Sequence, residues 1–309
     1  MTNMAAQPGA TFLCADCSRE VGEQIFATAP RCDVWMLIEY TGGWGNQALP
    51  ESALQQPVID SLQTWQASTP NAKILFIRRS AAPENEYNLY VALSREEDPV
   101  LYRVPFAQHH HLQSFDLDGL SRGESRFKRY RVAEPLFIVC TNGRRDLSCA
   151  RYGPPVFTEF ERAGVNAWQS THIGGHRFAA TVAMLPWGVC YGYINPQDVS
   201  DVIVASQRGD VVLEHFRGRS CYEKPTLAAD HYLREHLGLR ALPGTRLLRE
   251  EQSGDSEWLV RLETLAGGTM HDVRVHAILS EWETCENSGQ NPEMKHMPQF
   301  ELVDLRTID

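Results

Sequence analysis

This chain is short of long apolar runs: none approaches the ~18 residues of a membrane-spanning helix. Its opening residues carry neither a basic segment nor the apolar core of a signal peptide, which predicts a chain that stays in the cytoplasm. Positive charge is scarce as well. Lys and Arg number 29 against 39 Asp and Glu, for a net charge of −10. With no basic stripe to offset that balance, a nucleic-acid backbone is excluded as partner, while docking to a basic patch on another protein fits. Several catalytic signatures are missing. There is no Ser–His–Asp nucleophile elbow, no phosphate-binding glycine loop and no H-E-x-x-H. No stretch singles out the carboxylate pair that glycoside cleavage requires. Tandem short repeats and low-complexity blocks are absent too. What remains is 309 residues of globular composition, enough for two domains of ordinary size.

Cysteine is not scarce: there are eight. In a reducing compartment these are free thiols or metal ligands rather than a disulfide framework. Two of them anchor the most informative stretch, residues 136–194. The apolar run Leu136 to Val139 ends on Cys140, eight mostly polar residues intervene, and then comes Cys149. Twenty-three residues further on stand His172 and His176, separated by Ile173, Gly174 and Gly175. Two thiols and two imidazoles in two tight clusters, each just after a strand-like segment, form a four-ligand metal set. Ligand type leaves the metal open, because thiolate and imidazole suit zinc, copper and iron alike. An eight-residue loop is long for a zinc knuckle. It suits a wider inorganic core, and two Cys with two His is the ligand count of Rieske-type [2Fe–2S] centres, although Rieske motifs pair one Cys with one His per loop. On chemistry alone, a [2Fe–2S] cluster and Zn2+ both stand.

The stretch resembles the sucrase/ferredoxin-like family. The resemblance rests on C-x8-C and H-x-G-G-H within "CTNGRRDLSCARYG" and "WQSTHIGGHRFAATV", and more weakly on "WMLIEYTGGWGNQAL" in the N-terminal half. It implies a cluster domain related to the thioredoxin-like ferredoxins. It further implies a [2Fe–2S] cluster held by Cys140, Cys149, His172 and His176, as fungal members of the family are understood to do. The last hundred residues match only in scattered places. The word "sucrase" finds no support in these residues.

Other candidates read more plainly. Cys14 and Cys17 have C-x-x-C spacing, but they precede the first strand instead of coming after one. With Cys32 they are read as free thiols on an N-terminal arm, and a second metal site made of the three is the sharper alternative. His109, His110 and His111 read as a solvated helix start. Cys190 reads as a core thiol, and Cys221 and Cys285 receive no role.

The order of elements repeats. Val34 to Glu39 predicts a strand, Glu51 to Ser68 a helix, Lys73 to Ile77 a strand, Tyr87 to Leu93 and Val100 to Val104 a hairpin, and His111 to Leu120 a short helix. The second pass runs Leu136 to Val139, a helix with Pro154 and Pro155 in its first turn, Ala167 to Thr171, Ala179 to Leu185 with Val189 to Ile194, and a helix capped by Asn195 and ended by Gly209. The expectation is an α/β fold of two tandem thioredoxin-like (β-α-β-β-β-α) lobes, the second carrying the cluster, plus a C-terminal β-rich extension. Its parts are an arm (1–33), a degenerate lobe (34–125), a ferredoxin lobe (130–209), and a helix with a β-rich extension (210–309).

The function expected from this reading is a [2Fe–2S] electron-transfer protein, a proton-coupled one-electron carrier serving a redox partner protein, a reductase or electron acceptor. Neutral imidazoles raise a cluster's potential relative to four thiolates. Arg144 and Arg145 in the ligand loop, and Arg177 beside His176, are expected near the centre. A structural Cys2His2 zinc protein is the alternative, and a thiol–disulfide oxidoreductase the third class.

Overall fold

The computed structural model describes residues 11–81 and 86–308. Its first element is a short helix, α1 (Cys14–Glu20), where the sequence predicts an arm without periodicity. Next comes β1 (Val34–Glu39), whose residues VWMLIE are all buried. An unbroken apolar run has no face to offer water, so it is stable inside a sheet covered on both sides. Its one charged member, Glu39, is satisfied there by the backbone and side-chain amides of Asn88 at 2.9 and 2.6 Å.

The first half continues with α2 (Gln56–Ser68), β2 (Ala72–Arg78), β3 (Tyr87–Leu93), β4 (Val100–Phe106) and α3 (Leu117–Arg122). In α2, Val58, Ile59, Leu62 and Trp65 recur at helical spacing and face the sheet. After the two-residue strand β5 (Arg131–Val132), the second half runs β6 (Leu136–Cys140), α4 (Leu147–Arg162), β7 (Ala167–Ser170), β8 (Val182–Leu185), β9 (Val189–Tyr191) and α5 (Val199–Arg208). Asn195 and Asp198 form a reciprocal capping box ahead of α5, and Gly209 ends it in the left-handed conformation, as the sequence predicts.

The halves share one topology. The strands lie in the order β2-β1-β3-β4 in the first and β7-β6-β8-β9 in the second. In each, the first two are parallel and the others antiparallel. Edge strands β2 and β7 pair antiparallel through Ile77–Ser170 and Arg78–Gln169, so the halves fuse into one ten-stranded mixed sheet.

Two sequence expectations shift. First, α4 starts at Leu147 and not at the prolines: the Asp146 side chain accepts from Ser148 N at 2.8 Å. That cap sets the start, and Pro154 and Pro155 fall inside the helix. Second, part of residues 210–309, expected as a helix with a β-rich extension, belongs to the large sheet itself. The strand β10 (Phe216–Arg219) adds to the large sheet beside β9. Beyond it, α6 (Lys224–Leu237) packs on a four-stranded antiparallel sheet of β11 (Thr245–Gln252), β12 (Glu257–Thr264), β13 (Thr269–Cys285) and β14 (Met294–Ile308). Among the described residues, no helix is long and apolar enough to cross a membrane.

Candidate metal centre

Strands β6 and β7 are parallel neighbours, with Cys140 paired to Ser170 at their C-terminal ends. The chain leaves both strands at the same rim of the sheet, which brings the two exit segments together. After β6 comes the loop that returns as α4, with Cys149 in the first turn of that helix. This approach is close enough to require glycine at 153, where a Cβ would overlap the Cys140 carbonyl oxygen. After β7 comes His172, then Gly174 and Gly175 with φ of +118° and +76°. Residues with side chains rarely adopt those angles, and the turn they make swings His176 back beside His172.

Cys140 Sγ lies 3.3 Å from Cys149 Sγ, and His172 Nδ1 is 3.8 Å from each sulfur. Both thiols are buried. The contact with Cys149, together with His172, holds the Cys140 thiol well below its ordinary pKa, and the same contact, with burial, pushes Cys149 well above it. A tetrahedral ion with bonds of ~2.3 Å to sulfur and ~2.0 Å to nitrogen sets its donors roughly 3.4–3.8 Å apart, close to the observed separations.

His176 stands beside this group rather than in it: the donor atoms of Cys140, Cys149 and His172 lie within 4.8 Å of one another, whereas those of His176 do so with Cys14 and Asp146. Its ring centroid is 5.3 Å from that of His172. Its Nε2 lies 2.7 Å from the Glu286 carbonyl oxygen, an acceptor, so Nε2 carries the proton. In the neutral ring, Nδ1 is then a bare lone pair, and it is buried without a hydrogen-bond partner. A buried acceptor left unpaired is costly, and a carbonyl fixing the distal nitrogen is the usual support of a metal-binding imidazole. These donors fit a thiophilic metal centre.

Of the three arginines expected near the centre, Arg145 acts on Cys149 by its charge, against the rise of that thiol's pKa. Arg144 and Arg145 are exposed, and Arg145 reaches Asn46 Oδ1 in the first half at 2.9 Å. Arg177 forms a bidentate pair with Glu23, Nη2 to Oε1 at 2.8 Å.

Residues that the sequence did not single out close the site. The Asp146 carboxylate accepts from Ser148 N, Ser288 N (2.9 Å) and Ser288 Oγ (2.7 Å), and stands 3.8 Å from His176 Nε2. Burial raises its pKa, but the Ser288 N–H, His176 and the other donors outweigh this and leave it lowered. Ser288 Oγ in turn accepts from Cys14 N, and Ser148 Oγ from Ala15 N. The start of α1 and the loop after β13 therefore meet over the ligand loop. Asp146 had a local signal, an acid a few residues ahead of the first-turn cysteine. Ser288 and Glu286 had none, being brought in from some 110–142 positions away.

Cys14 has a thiol neighbour, but the third cysteine of the suggested second site is elsewhere. Cys14 Sγ lies 3.3 Å from Cys285 Sγ, and Cys17 packs with them. Cys32 is buried in the main core against the Val34 carbonyl. Burial pushes Cys17 up to about 12, and the hydrogen bond with Cys14, together with burial, holds Cys285 well above the ordinary range, so Cys17 and Cys285 are not nucleophilic thiols. Cys14, Asp146 and His176 also bring donor atoms within 4.8 Å of one another. However, Asp146 and His176 Nε2 already have partners there. His109 departs from the expected solvated helix start: its Nε2 lies 2.9 Å from the Glu39 carbonyl, and its ring sits among Tyr40, Tyr87 and Phe106.

Residues 25–218 match the family described as sucrase/ferredoxin-like. Curated relatives include proteins named Altered inheritance of mitochondria protein 32. That of Meyerozyma guilliermondii is 27% identical over 135 residues, 40% of this chain and 46% of the relative. Those of Debaryomyces hansenii and Clavispora lusitaniae are 26% and 28% identical over 104 residues, 30% of this chain and 38% of each relative. The chain thus spans less than half the length of these relatives. No solved structure matches it. The relatives' name describes the inheritance of mitochondria, and none is named as an iron–sulfur electron carrier. This corrects the expected function, a [2Fe–2S] electron-transfer protein working as a proton-coupled one-electron carrier. Donor atoms able to hold a metal do not by themselves make a carrier.

Proposed function

Since the chain belongs to the sucrase/ferredoxin-like family, we propose that it is a metal-centre protein whose ligands are Cys140, Cys149, His172 and His176. The observation that carries this reading is the bare, buried Nδ1 of His176, with its distal nitrogen fixed by Glu286, beside a cluster of two thiols and a second imidazole nitrogen. The occupant proposed is a [2Fe–2S] cluster. It is supported by the family's ferredoxin-like character and by the eight-residue loop between the cysteines. The second reading is Zn2+, favoured by separations of 3.3–3.8 Å, which suit one tetrahedral ion.

When bound, either group supplies a cross-link joining β6, α4 and the turn after β7, and so contributes to folding. The chain's own residues do the rest. Asp146 fixes the start of the helix that presents Cys149. Glu286 fixes the tautomer of His176. Burial of both thiols keeps water and competing ligands away.

Protein purified without oxygen should contain about two irons and two acid-labile sulfides per chain and show visible charge-transfer bands. One zinc per chain in a colourless preparation would select the second reading. Neither metal at stoichiometric level, in protein with all eight thiols reduced, would refute both.

A further inference from the structure

The turn between the two histidines is held by two cations, one from the middle of the large sheet and one from its edge. Lys73, on β2 of the half without ligands, donates from Nζ to the Ile173 carbonyl at 2.6 Å. Arg217, on β10, donates from Nη1 to the Gly174 carbonyl at 3.0 Å. Its Nε and Nη2 go to Thr28 Oγ1 and O at 3.0 and 2.5 Å. Arg217 is 1% exposed, and Lys73 is partly buried with its ammonium 6.0 Å from the Trp35 ring.

Every hydrogen bond made by these two side chains ends on a neutral oxygen. Among the described residues, no carboxylate pairs with either. The nearby Glu23 is already taken by Arg177. The two cations also repel each other, and burial works against the charge on both. Buried positive charge without a counter-ion is expensive. The groups that most favour the charge are the thiols of Cys32 and Cys190 for Lys73 and of Cys190 for Arg217, with Cys140 after them for Lys73 alone.

The Arg217 contact accounts for the second glycine of H-x-G-G-H, since a Cβ on Gly175 would overlap its guanidinium, whereas a Cβ on Gly174 would meet Lys73 Nζ only at an ordinary 3.7 Å and the first glycine answers to its backbone angle. Both residues have positive φ.

We propose that Lys73 and Arg217 are the positioning cations of this centre. They lock the Ile173–Gly174 turn so that His172 and His176 present nitrogens together. This rests on the metal-centre reading above and deepens it. It also gives the ligand-free half a task, the delivery of one cation to the other half's metal.

The test uses Co2+ alone as probe, titrated into full-length reduced protein stripped of metal. The thiolate-to-cobalt band gives the affinity against a chelator. Lys73→Met and Arg217→Met should each weaken affinity about tenfold or more. Lys73→Arg and Arg217→Lys, which keep a donor for the turn, should retain most of the wild-type affinity. If Arg217→Met does not fold, Lys73→Met, at a partly exposed position, still decides the matter. Wild-type affinity in Lys73→Met and Arg217→Met would overturn the inference and leave the metal reading standing. Weakened affinity that the charge-keeping variants do not rescue would reduce the pair to ordinary packing and overturn it too. A wild-type protein without any cobalt–thiolate band would sink the metal reading and this inference together.

Discussion

At the scale of single residues, the centre is built from atoms whose alternatives have been removed. His176 has one nitrogen spent on the Glu286 carbonyl, and the other has no protein partner. Cys140 and Cys149 have each other and His172. Replacing Cys140 or Cys149 with Ser should abolish stoichiometric metal, measured as metal per chain, because a hydroxyl is a far poorer ligand than a thiolate. Replacing Cys17 with Ser should leave metal content unchanged, since that thiol packs with Cys14 and Cys285 instead. Metal lost from Cys17→Ser but retained in Cys140→Ser would place the centre at the other thiol cluster. Gly153→Ala is the sharpest packing test. The added methyl meets the Cys140 carbonyl, forcing α4 away from β6, and urea denaturation should show a loss of about 1–3 kcal/mol.

At the scale of elements, α4 is the part on which the centre leans. Its Asp146 cap also receives the Ser288 amide and hydroxyl from beyond β13. Asp146→Ala should therefore cost more than the ~1 kcal/mol of an ordinary cap, because it strands a buried amide worth another ~1–3 kcal/mol. A denaturation midpoint displaced only by the cap's share would show that Ser288 finds another acceptor. The second sheet offers a pH test. Arg261 and Asp272 face each other across β12 and β13, with Nε to Oδ1 at 2.7 Å and Nη2 to Oδ2 at 2.8 Å. The hydrogen bond from Arg261 lowers the Asp272 pKa. Its folded pKa lies below the unfolded one, so its stabilisation is present above the unfolded pKa, near 3.9. It is lost as pH falls through the folded value. Both side chains are partly exposed, so the effect is at most about 1 kcal/mol. Asp272→Asn should flatten the wild type's stability loss below about pH 4 by that amount and leave stability at pH 7 lower by the same amount. Parallel stability curves for the two proteins across that range would contradict the assignment.

At the scale of the whole molecule, the ladder between the halves is short among the described residues, the pairs Ile77–Ser170 and Arg78–Gln169 with the Phe76–Thr171 hydrogen bonds beside them. The core nevertheless runs through all parts. One cluster of buried side chains contains Trp35 and Leu37 from the first half, Ile138 and Trp168 from the second, and Leu227, Val260 and Val275 from beyond. Buried polar groups also cross between the parts: Trp35 Nε1 donates to Ser220 Oγ, and Arg219 Nη2 to the carbonyls of Arg95 and Glu96. Calorimetry of the metal-free protein should therefore show one cooperative transition, with calorimetric and van't Hoff enthalpies in agreement. Two resolved peaks would mean that the halves unfold as independent units despite the shared core.

The order of elements in residues 34–208 was legible from local pattern, because continuous apolar runs and helical spacing are short-range properties of the chain. Val34 to Glu39 and Tyr87 to Leu93 were placed to the residue, and the repeat of one element order is matched by the repeat of one strand order. The two clusters Cys140/Cys149 and His172/His176 were likewise visible as spacings, and β6 and β7 bring their ends together. The start of α4 was misplaced because two prolines are a louder signal than one capping aspartate, though the Asp146 hydrogen bond is what holds the first turn. What the sequence did not contain were partners far away along the chain. Cys285 beside Cys14, Ser288 on Asp146, Glu286 on His176, and Lys73 and Arg217 on the glycine turn are pairings of residues roughly 40 to 270 positions apart. No local periodicity encodes such contacts. They arise only when two sheets, an N-terminal helix and a long C-terminal strand close on one rim, and the same closure leaves Arg144, Arg145 and Arg177 facing other partners or solvent.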